Sequence, residues 1–365
     1  MIVKSIKLNQ FRNYNYLDIN LSPGTNIFYG DNAQGKTNIL EALYVSATSK
    51  SHKGSHDRDM IQFGKEESHI QVNVEKNEKD YMIDIHLKNN KAKGIAINKI
   101  AIKKASEIFG ILNIIFFSPE DLNIIKKGPS ERRRFLDLEL CQLDKIYLYN
   151  LTNYNKVVQQ RNKLLKDIAF NSSLEETLPI WDMQLIKYGS YLIERRKKFV
   201  QEIAPIVRKT HYKISGEREV LELSYEPEVE IENFEKQLKE NKWKDLKNRI
   251  TTTGPHRDDL SFLIEGVDIR KFGSQGQQRT SALSLKLSEI EIVKKTIDDE
   301  PVLLLDDVLS ELDSNRQNYL LQQIKETQTL ITCTGLDEFV KNSFEVDKVF
   351  QVISGNVSEK LQEQM

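Results

Sequence analysis

Over the first hundred residues the apolar positions recur every second residue. Ile70, Val72 and Val74 alternate with polar neighbours, as do Ile83, Ile85 and Leu87, and again Ile95 and Ile97. This period predicts half-buried strands in an antiparallel meander, with Lys88-Asn89-Asn90-Lys91 as a hairpin turn. The chain also opens with a strand-like alternation, and Ile27-Phe28-Tyr29 is a short apolar run that stops at Gly30, as a buried strand feeding a loop would. After Pro129 the period changes. Leu143, Tyr147, Leu151, Tyr154, Val158 and Leu165 are spaced by threes, fours and one seven; Trp181, Leu185, Tyr188, Leu192, Phe199 and Ile203 repeat the pattern. Two long amphipathic helices are predicted, joined through Asn171-Ser172-Ser173 and packed as a hairpin. Pro205 is expected to end or kink the second. Further on, 279–296 reads as a helix with Leu283, Leu287, Ile290 and Val293 on one face. Val302-Leu303-Leu304-Leu305 reads as a central strand buried on both faces, and Leu330-Ile331-Thr332 as another.

Composition narrows the class. Hydrophobic residues are 39% and charged residues 29%, the balance of a soluble globular chain, and no run approaches the length of a membrane span. The N-terminus lacks a signal-peptide pattern, and Cys141 and Cys333 lie far apart without metal-ligand spacing, so a reducing cytoplasm is expected. The histidines do not cluster, which argues against zinc. A formal net charge of −1 counts against nucleic acid for the chain as a whole. Its distribution changes that picture: 126–134 and 187–198 each hold five basic residues and one acid, while acids gather in 298–313. For either basic run alone, the plain reading is a solvated helix face.

The chemistry begins at Gly30-Asp31-Asn32-Ala33-Gln34-Gly35-Lys36-Thr37, which fits G-x-x-x-x-G-K-[ST] between an apolar strand and a helix starting at Asn38. Gly30 and Gly35 allow successive N–H groups to point inward at phosphate oxygens, and the helix N-terminus adds a field favourable to anions. Lys36 is placed to reach the β- and γ-phosphates of ATP, and the Thr37 hydroxyl to ligate Mg²⁺. Without that context the string would be a glycine-containing turn. The run Val302–Leu305 ends in Asp306 and Asp307, two carboxylates costly to bury without a cation or donor. Asp306 is expected in the Mg²⁺ shell and Asp307 at the attacking water; the alternative is that Asp307 or Ser310 merely caps the next helix. Lys36 and Asp306 lie some 270 positions apart. A small kinase or GTPase brings its second motif sooner, so the core here is split, with the helical hairpin between its halves.

A third element, Gly273-Ser274-Gln275-Gly276-Gln277-Gln278-Arg279, opens the helix before the acidic strand. Alone it is a flexible turn with an N-cap, or a second anion site; its position is that of the ABC signature motif. With it the chain resembles the RecF family of ABC/SMC-head-type ATPases. The strings carrying the resemblance run from Leu8-Asn9-Gln10-Phe11-Arg12-Asn13-Tyr14 and the phosphate loop through Phe117-Ser118-Pro119-Glu120-Asp121-Leu122, Arg132-Arg133-Arg134-Phe135-Leu136-Asp137 and Thr253-Gly254-Pro255-His256-Arg257-Asp258-Asp259 to the signature loop and 303–313.

The resemblance implies an α/β fold: a P-loop ABC/SMC-like ATPase head with an antiparallel β subdomain and an inserted helical lobe. The expected boundaries are 1–115 plus 285–365 for the ATP-binding lobe and 116–284 for the helical lobe. It implies slow Mg²⁺-dependent ATP hydrolysis, a homodimer formed on ATP binding, and binding to gapped or junction DNA in repair and replication. It also implies RecR as partner, with RecO and RecA in the pathway. Ser274, Gly276 and Gln277 would act on the partner protomer's ATP, Asp313 would lie in the D-loop bridging the two sites, Ser118-Pro119-Glu120 in the Q-loop, and Arg12 near the nucleotide. Candidate DNA contacts are Lys126, Lys127, Arg132, Arg133 and Arg134, the basic stretch 156–198, and Lys50, Lys53 and Arg58. Two departures from the wider ABC pattern stand out: Asp307 replaces the usual Glu, and Thr332-Cys333-Thr334 stands where many ABC proteins carry a switch histidine. His256 is expected to be structural or to lie in the lobe interface. A membrane-transporter ATPase subunit is the main alternative. It predicts a typical signature and a switch histidine, which the chain lacks; a small-molecule kinase would need no signature loop, and a structural protein with a vestigial site would not keep every catalytic residue type.

Overall fold

The computed structural model of the protein describes residues 1–336 and 345–360. The chain opens with β1 (Ile2–Phe11), β2 (Tyr14–Asn20), β3 (Thr25–Tyr29), α1 (Lys36–Thr48), β4 (Glu67–Lys76), β5 (Lys79–Lys88), β6 (Gly94–Ile97), β7 (Ile100–Ala101) and β8 (Ile114–Phe117). Its middle supplies α2 (Leu122–Lys126), α3 (Pro129–Leu143), α4 (Lys145–Ile168), α5 (Leu178–Ile214), β9 (Leu221–Glu226), α6 (Phe234–Glu240), α7 (Lys242–Asn248), β10 (Asp259–Ile264), β11 (Val267–Asp268) and α8 (Ile269–Phe272). The last part adds α9 (Gln275–Ile297), β12 (Val302–Asp306), α10 (Ser314–Gln323), β13 (Thr329–Cys333), β14 (Lys348–Ile353) and β15 (Asn356–Lys360). Two units result, Met1–Asp121 with Glu289–Met365, and Leu122–Ser288. Relative to the sequence-based boundaries, 116–121 falls in the first unit because β8 runs on through Phe117, and 285–288 falls in the second. Residues 337–344 and 361–365, assigned from sequence to the ATP-binding lobe, lie outside the described residues.

The first unit holds two six-stranded sheets. One has the order β2-β1-β4-β5-β6-β7 and is antiparallel throughout. Its alternation buries Ile70, Val72, Val74, Ile83, Ile85 and Leu87 completely, and register pairs Val72 with Ile83 and Ile70 with Ile85. The other has the order β15-β14-β3-β13-β12-β8, with β14, β3, β13, β12 and β8 parallel. Its central strands are buried along nearly their whole length because both faces are covered. α1 touches β4 and β5 of the first sheet and β8, β12 and β13 of the second. A helix so enclosed has no polar face: Ile39, Leu40, Ala42, Leu43, Val45 and Ala47 are all fully buried. It starts where β3 ends, so the sandwich fixes the loop between them.

The second unit is built on the α4/α5 hairpin. Tyr147, Tyr154, Val157, Arg161 and Leu165 line the inner face of α4; Leu185, Gly189, Leu192, Arg196, Phe199 and Ile203 line that of α5. Pro205 does not end α5, which continues to Ile214. The missing N–H would have bonded the carbonyl of Gln201, an exposed residue, so water can take its place. β9 and β10 pair antiparallel beside the hairpin, with β11 at the edge. α9 is buried nearly all round from Thr280 to Ile290, more than the one-face periodicity predicts. Two of its buried serines bond back onto the helix: Ser284 Oγ donates to Thr280 O and Ser288 Oγ to Ser284 O, each at 2.7 Å.

Candidate nucleotide site

The phosphate loop is shaped by backbone conformations that few residues accept. Gly30 and Gly35 have φ of 150° and 114°. A Cβ on Gly30 would run into the Val352 carbonyl, and one on Gly35 into the Asn13 amide. Ala33 also sits at positive φ, 64°. Neighbouring strands hold the loop from outside. Asn13 Nδ2 and Gly355 N donate to Gln34 O at 2.8 and 3.1 Å. Ser354 N donates to Gln34 Oε1 at 2.5 Å, and Tyr14 Oη to Gly35 O at 3.0 Å. Asn38 Nδ2 donates to Asn13 Oδ1 at 2.8 Å, tying the first turn of α1 to the β1–β2 turn. Asp31, Asn32 and Ala33 remain exposed at the rim. Lys36 lies inside the loop, donating to Gly30 O at 2.5 Å and Asp31 O at 2.8 Å. Burial lowers its pKa, and the negative charge of Asp307 and Asp306 works the other way.

Across β13, the end of β12 brings up the acidic pair. Thr37 Oγ1 donates to Asp306 Oδ1 at 2.7 Å, joining residues 269 positions apart. Thr332 Oγ1 donates to the same oxygen at 2.7 Å and accepts from Asp307 N at 3.0 Å. Thr332 O accepts from Asp307 N as well, at 3.2 Å. Asp307 is held in the left-handed region, φ 53°, so its carboxylate leaves the line of the strand. At 332–334, where the wider ABC pattern has a switch histidine, the Thr332 hydroxyl braces both acids, a role that only the packing of β13 between β3 and β12 reveals. Thr37 and Asp306 offer adjacent hard oxygens, a donor set that fits Mg²⁺. Among the described residues no three His, Cys, Asp or Glu side chains converge as a metal cage.

The remaining candidates take defined places. Arg12 lies at the end of the β1 hairpin turn with φ 51°, its guanidinium forked onto the fully buried Glu41 at 2.6 and 2.8 Å. Burial opposes ionisation of Glu41, but Arg12 and the Ser51 hydroxyl outweigh it and hold the carboxyl below its ordinary range. Arg12 also binds Ser55 Oγ and Asp59 O, so it braces 51–59, a role that sequence alone did not suggest. Ser274 and Gln277 form a reciprocal cap at the start of α9: Gln277 N donates to Ser274 Oγ at 3.2 Å and Ser274 N to Gln277 Oε1 at 2.9 Å. Ser274 and Gly276 are exposed. Asp313 is the N-cap of α10, accepting from Arg316 N at 3.0 Å, and is not held at the acid pair. Ser118-Pro119-Glu120 follows the carboxyl end of β8, next to β12, where Ser118 N donates to Asp121 Oδ2 at 2.8 Å.

The family model for the RecF/RecN/SMC N-terminal domain matches residues 2–358. A DNA replication and repair protein RecF from Agathobacter rectalis is 66% identical over 357 residues, spanning 98% of this chain and 99% of the relative. The chain belongs to the RecF family. The structure of the recombination mediator protein RecF-ATP in the RecFOR pathway superposes with a TM-score of 0.92 at 36% identity, over 98% of this chain and 97% of that one. An Smc head bound to the C-terminal winged-helix domain of ScpA shares the fold, with a TM-score of 0.59 at 16% identity. The transporter alternative finds no support in these matches. Among the described residues no helix is long and apolar enough to cross a membrane.

In this RecF-family chain several expected DNA contacts turn out to be structural. Arg132 is 2% exposed, with Nε on Asp259 Oδ1 at 2.5 Å and Nη2 on Asp259 Oδ2 at 3.1 Å. Arg132 is therefore not a DNA-phosphate contact, because a guanidinium buried on a carboxylate cannot face solvent. Arg133 is partly buried and donates to Asp258 O at 2.7 Å. In the stretch 156–198, Arg161 and Arg196 are buried ion-pair centres, on Asp182 and Asp245, and on Asp137 and Asp258. Lys126, Lys127, Arg134, Lys50, Lys53 and Arg58 are exposed. His256 is structural. Nε2 faces Thr251 O at 3.0 Å and must donate to it, so Nδ1 accepts from Tyr154 Oη at 2.7 Å. Burial lowers its pKa to about 4.

Proposed function

We propose that the chain is an ATP-dependent clamp for gapped or junction DNA, closing as a homodimer around ATP·Mg²⁺ and reopening on slow hydrolysis. The observation that carries this is the Thr37–Asp306 contact at 2.7 Å, which joins the phosphate loop to the acidic strand end. The amides of 30–37 and Lys36 would hold the triphosphate, and Thr37 and Asp306 the Mg²⁺, which supplies charge neutralisation at the phosphates. Asp307 would orient the attacking water. The start of α9, where Ser274, Gln275 and Gly276 are exposed, suits a second anion contact, offered to the ATP of another protomer. A ligand gripped from both sides favours the closed pair by its differential affinity for it. DNA would meet the exposed cations Lys126, Lys127, Arg134, Lys50, Lys53 and Arg58 through sequence-independent, salt-sensitive phosphate contacts. That the RecF-ATP relative belongs to the RecFOR pathway suits RecR as partner, and the family resemblance adds RecO and RecA in the pathway. The test is sizing with and without ATP·Mg²⁺. Wild type is expected to shift to a dimer and Lys36→Ala to remain monomeric; an ATP-dependent dimer that survives the substitution would refute the clamp.

A further inference from the structure

α7 is fixed on one side and left bare on the other. Its Asp245, fully buried, accepts from Arg161 Nη1 at 2.6 Å and from Thr252 N and Oγ1 at 2.9 and 2.6 Å. Leu246 packs on the cluster of Leu165, Ile168 and Leu178, and Lys242 pairs with Glu175 at 2.7 Å. These contacts make a rigid base on the α4/α5 hairpin. On the outer side Trp243 is 66% exposed, with Lys247 one turn on and its Nζ 5.7 Å from the indole centroid. Lys244 and Arg249 are exposed beside them, and Arg249 closes the helix at φ 56°.

The charge here is unbalanced. On neighbouring α6, Lys236 pairs with Glu240 at 3.8 Å and Lys239 with Glu235 at 2.6 Å. Lys244, Lys247 and Arg249 form no ion pair among the described residues. A large flat aromatic surface among exposed cations is a poor seat for an apolar partner that brings no negative charge, because covering the cations strips their water. It complements a polymer whose backbone is anionic and whose bases have bare faces, which is single-stranded nucleic acid. A duplex offers the phosphates but keeps its base faces stacked inside.

We propose that Trp243, Lys244, Lys247 and Arg249 form a contact for single-stranded DNA, with an unstacked base on the indole and phosphates on the three cations. This inference rests on the DNA-binding reading above. It adds a place where the single-stranded side of a junction is told from the duplex side.

The full chain has two tryptophans, Trp181 and Trp243, so Trp181→Phe leaves Trp243 as the sole reporter. This protein is titrated, with ATP·Mg²⁺, with an oligo(dT) of about 15 nucleotides, close to the site size of a single binding module, and with a blunt-ended duplex of two annealed strands. Labelled copies of both DNAs are followed in parallel by anisotropy. The oligonucleotide is expected to quench Trp243 emission over the range where its anisotropy rises, and the blunt duplex to leave emission unchanged. Trp243→Ala should weaken oligonucleotide binding roughly tenfold without affecting the duplex, Trp243→Phe should retain most of the affinity, and Lys244→Glu with Lys247→Glu should flatten the salt dependence. Oligonucleotide binding with unchanged emission and wild-type affinity in Trp243→Ala would overturn the contact while leaving the DNA reading intact, and would turn attention to an acidic protein partner. No anisotropy change with either DNA would overturn the DNA reading, and this contact with it.

Discussion

At residue 332 one hydroxyl does two things: it donates to Asp306 and receives the Asp307 amide. Thr332 is 1% exposed, so no water replaces it. Thr332→Val keeps the shape but removes both side-chain bonds, leaving the Asp306 carboxylate one donor short and the Asp307 amide held only by the Thr332 carbonyl. Such a loss costs about 1–2 kcal/mol of stability. The more telling effect is expected on the metal. ATP turnover should fall about tenfold at low Mg²⁺, the equivalent of ~1.4 kcal/mol of transition-state stabilisation, and recover in part as Mg²⁺ is raised. Thr332→Ser, which keeps the hydroxyl, should titrate like wild type. A Mg²⁺ titration of turnover decides it: a Val variant with the wild-type curve would mean that the hydroxyl only packs. The site residues legible in the chain are those within two contiguous strings, 30–38 and 306–307. Thr332, and the Asn13 and Tyr14 side chains that clamp Gln34 and Gly35, belong to other strands, and only the sheet order brings them in.

Elements were legible where period and burial agree. The β4–β5–β6 meander and the α4/α5 hairpin each keep a single period over many residues. Pro205 and the all-round burial of α9 were not legible. The first depends on solvent at Gln201, and the second on serines that satisfy their own helix. Gly189 shows the same limit in α5. By propensity alone, Gly189→Ala should stabilise the helix by about 1 kcal/mol. The structure argues the reverse. A Cβ at 189 would lie 2.6 Å from Phe234 Cε1 and 3.0 Å from Tyr154 Cε2. Both rings are 1% exposed or less, so neither has room to swing away. Overpacking of this kind costs ~1–3 kcal/mol and outweighs the propensity gain. The variant should unfold at lower urea than wild type, by roughly 1–2 kcal/mol. An unchanged or raised midpoint would show that α5, α6 and α4 are less tightly packed than they stand here.

For the whole molecule, the wide separation of Lys36 from Asp306 announced a split core, and the two units follow from it. What charge counting could not tell was which cations are structural, because Arg132, Arg161 and Arg196 sit in the same basic runs as exposed lysines. The second unit, held by these pairs and by His256, should therefore have its own response to acid. Folded His256 is kept neutral by burial, with a pKa of about 4, while in the unfolded chain it takes a proton near its ordinary 6.5. Between those values the unfolded state binds a proton that the folded state refuses. The stability that His256 contributes is nearly complete by pH 7.5 and falls as the pH drops toward 4, by about 2 kcal/mol between 7.5 and 5. Asp258 and Glu228 act in the opposite sense, since burial raises their pKa values and the folded state takes up protons first. The comparison is therefore with His256→Gln, which keeps those acids and a donor toward Thr251 O but does not titrate. The variant is expected to be less stable than wild type at pH 7.5, through the lost Tyr154 bond. The gap should narrow by about 2 kcal/mol at pH 5 as wild type loses its advantage. Urea unfolding followed at both pH values measures it. A gap that stays constant would mean that His256 takes its proton in the folded chain as readily as in the unfolded one, and that the Tyr154–His256–Thr251 chain does not hold it neutral.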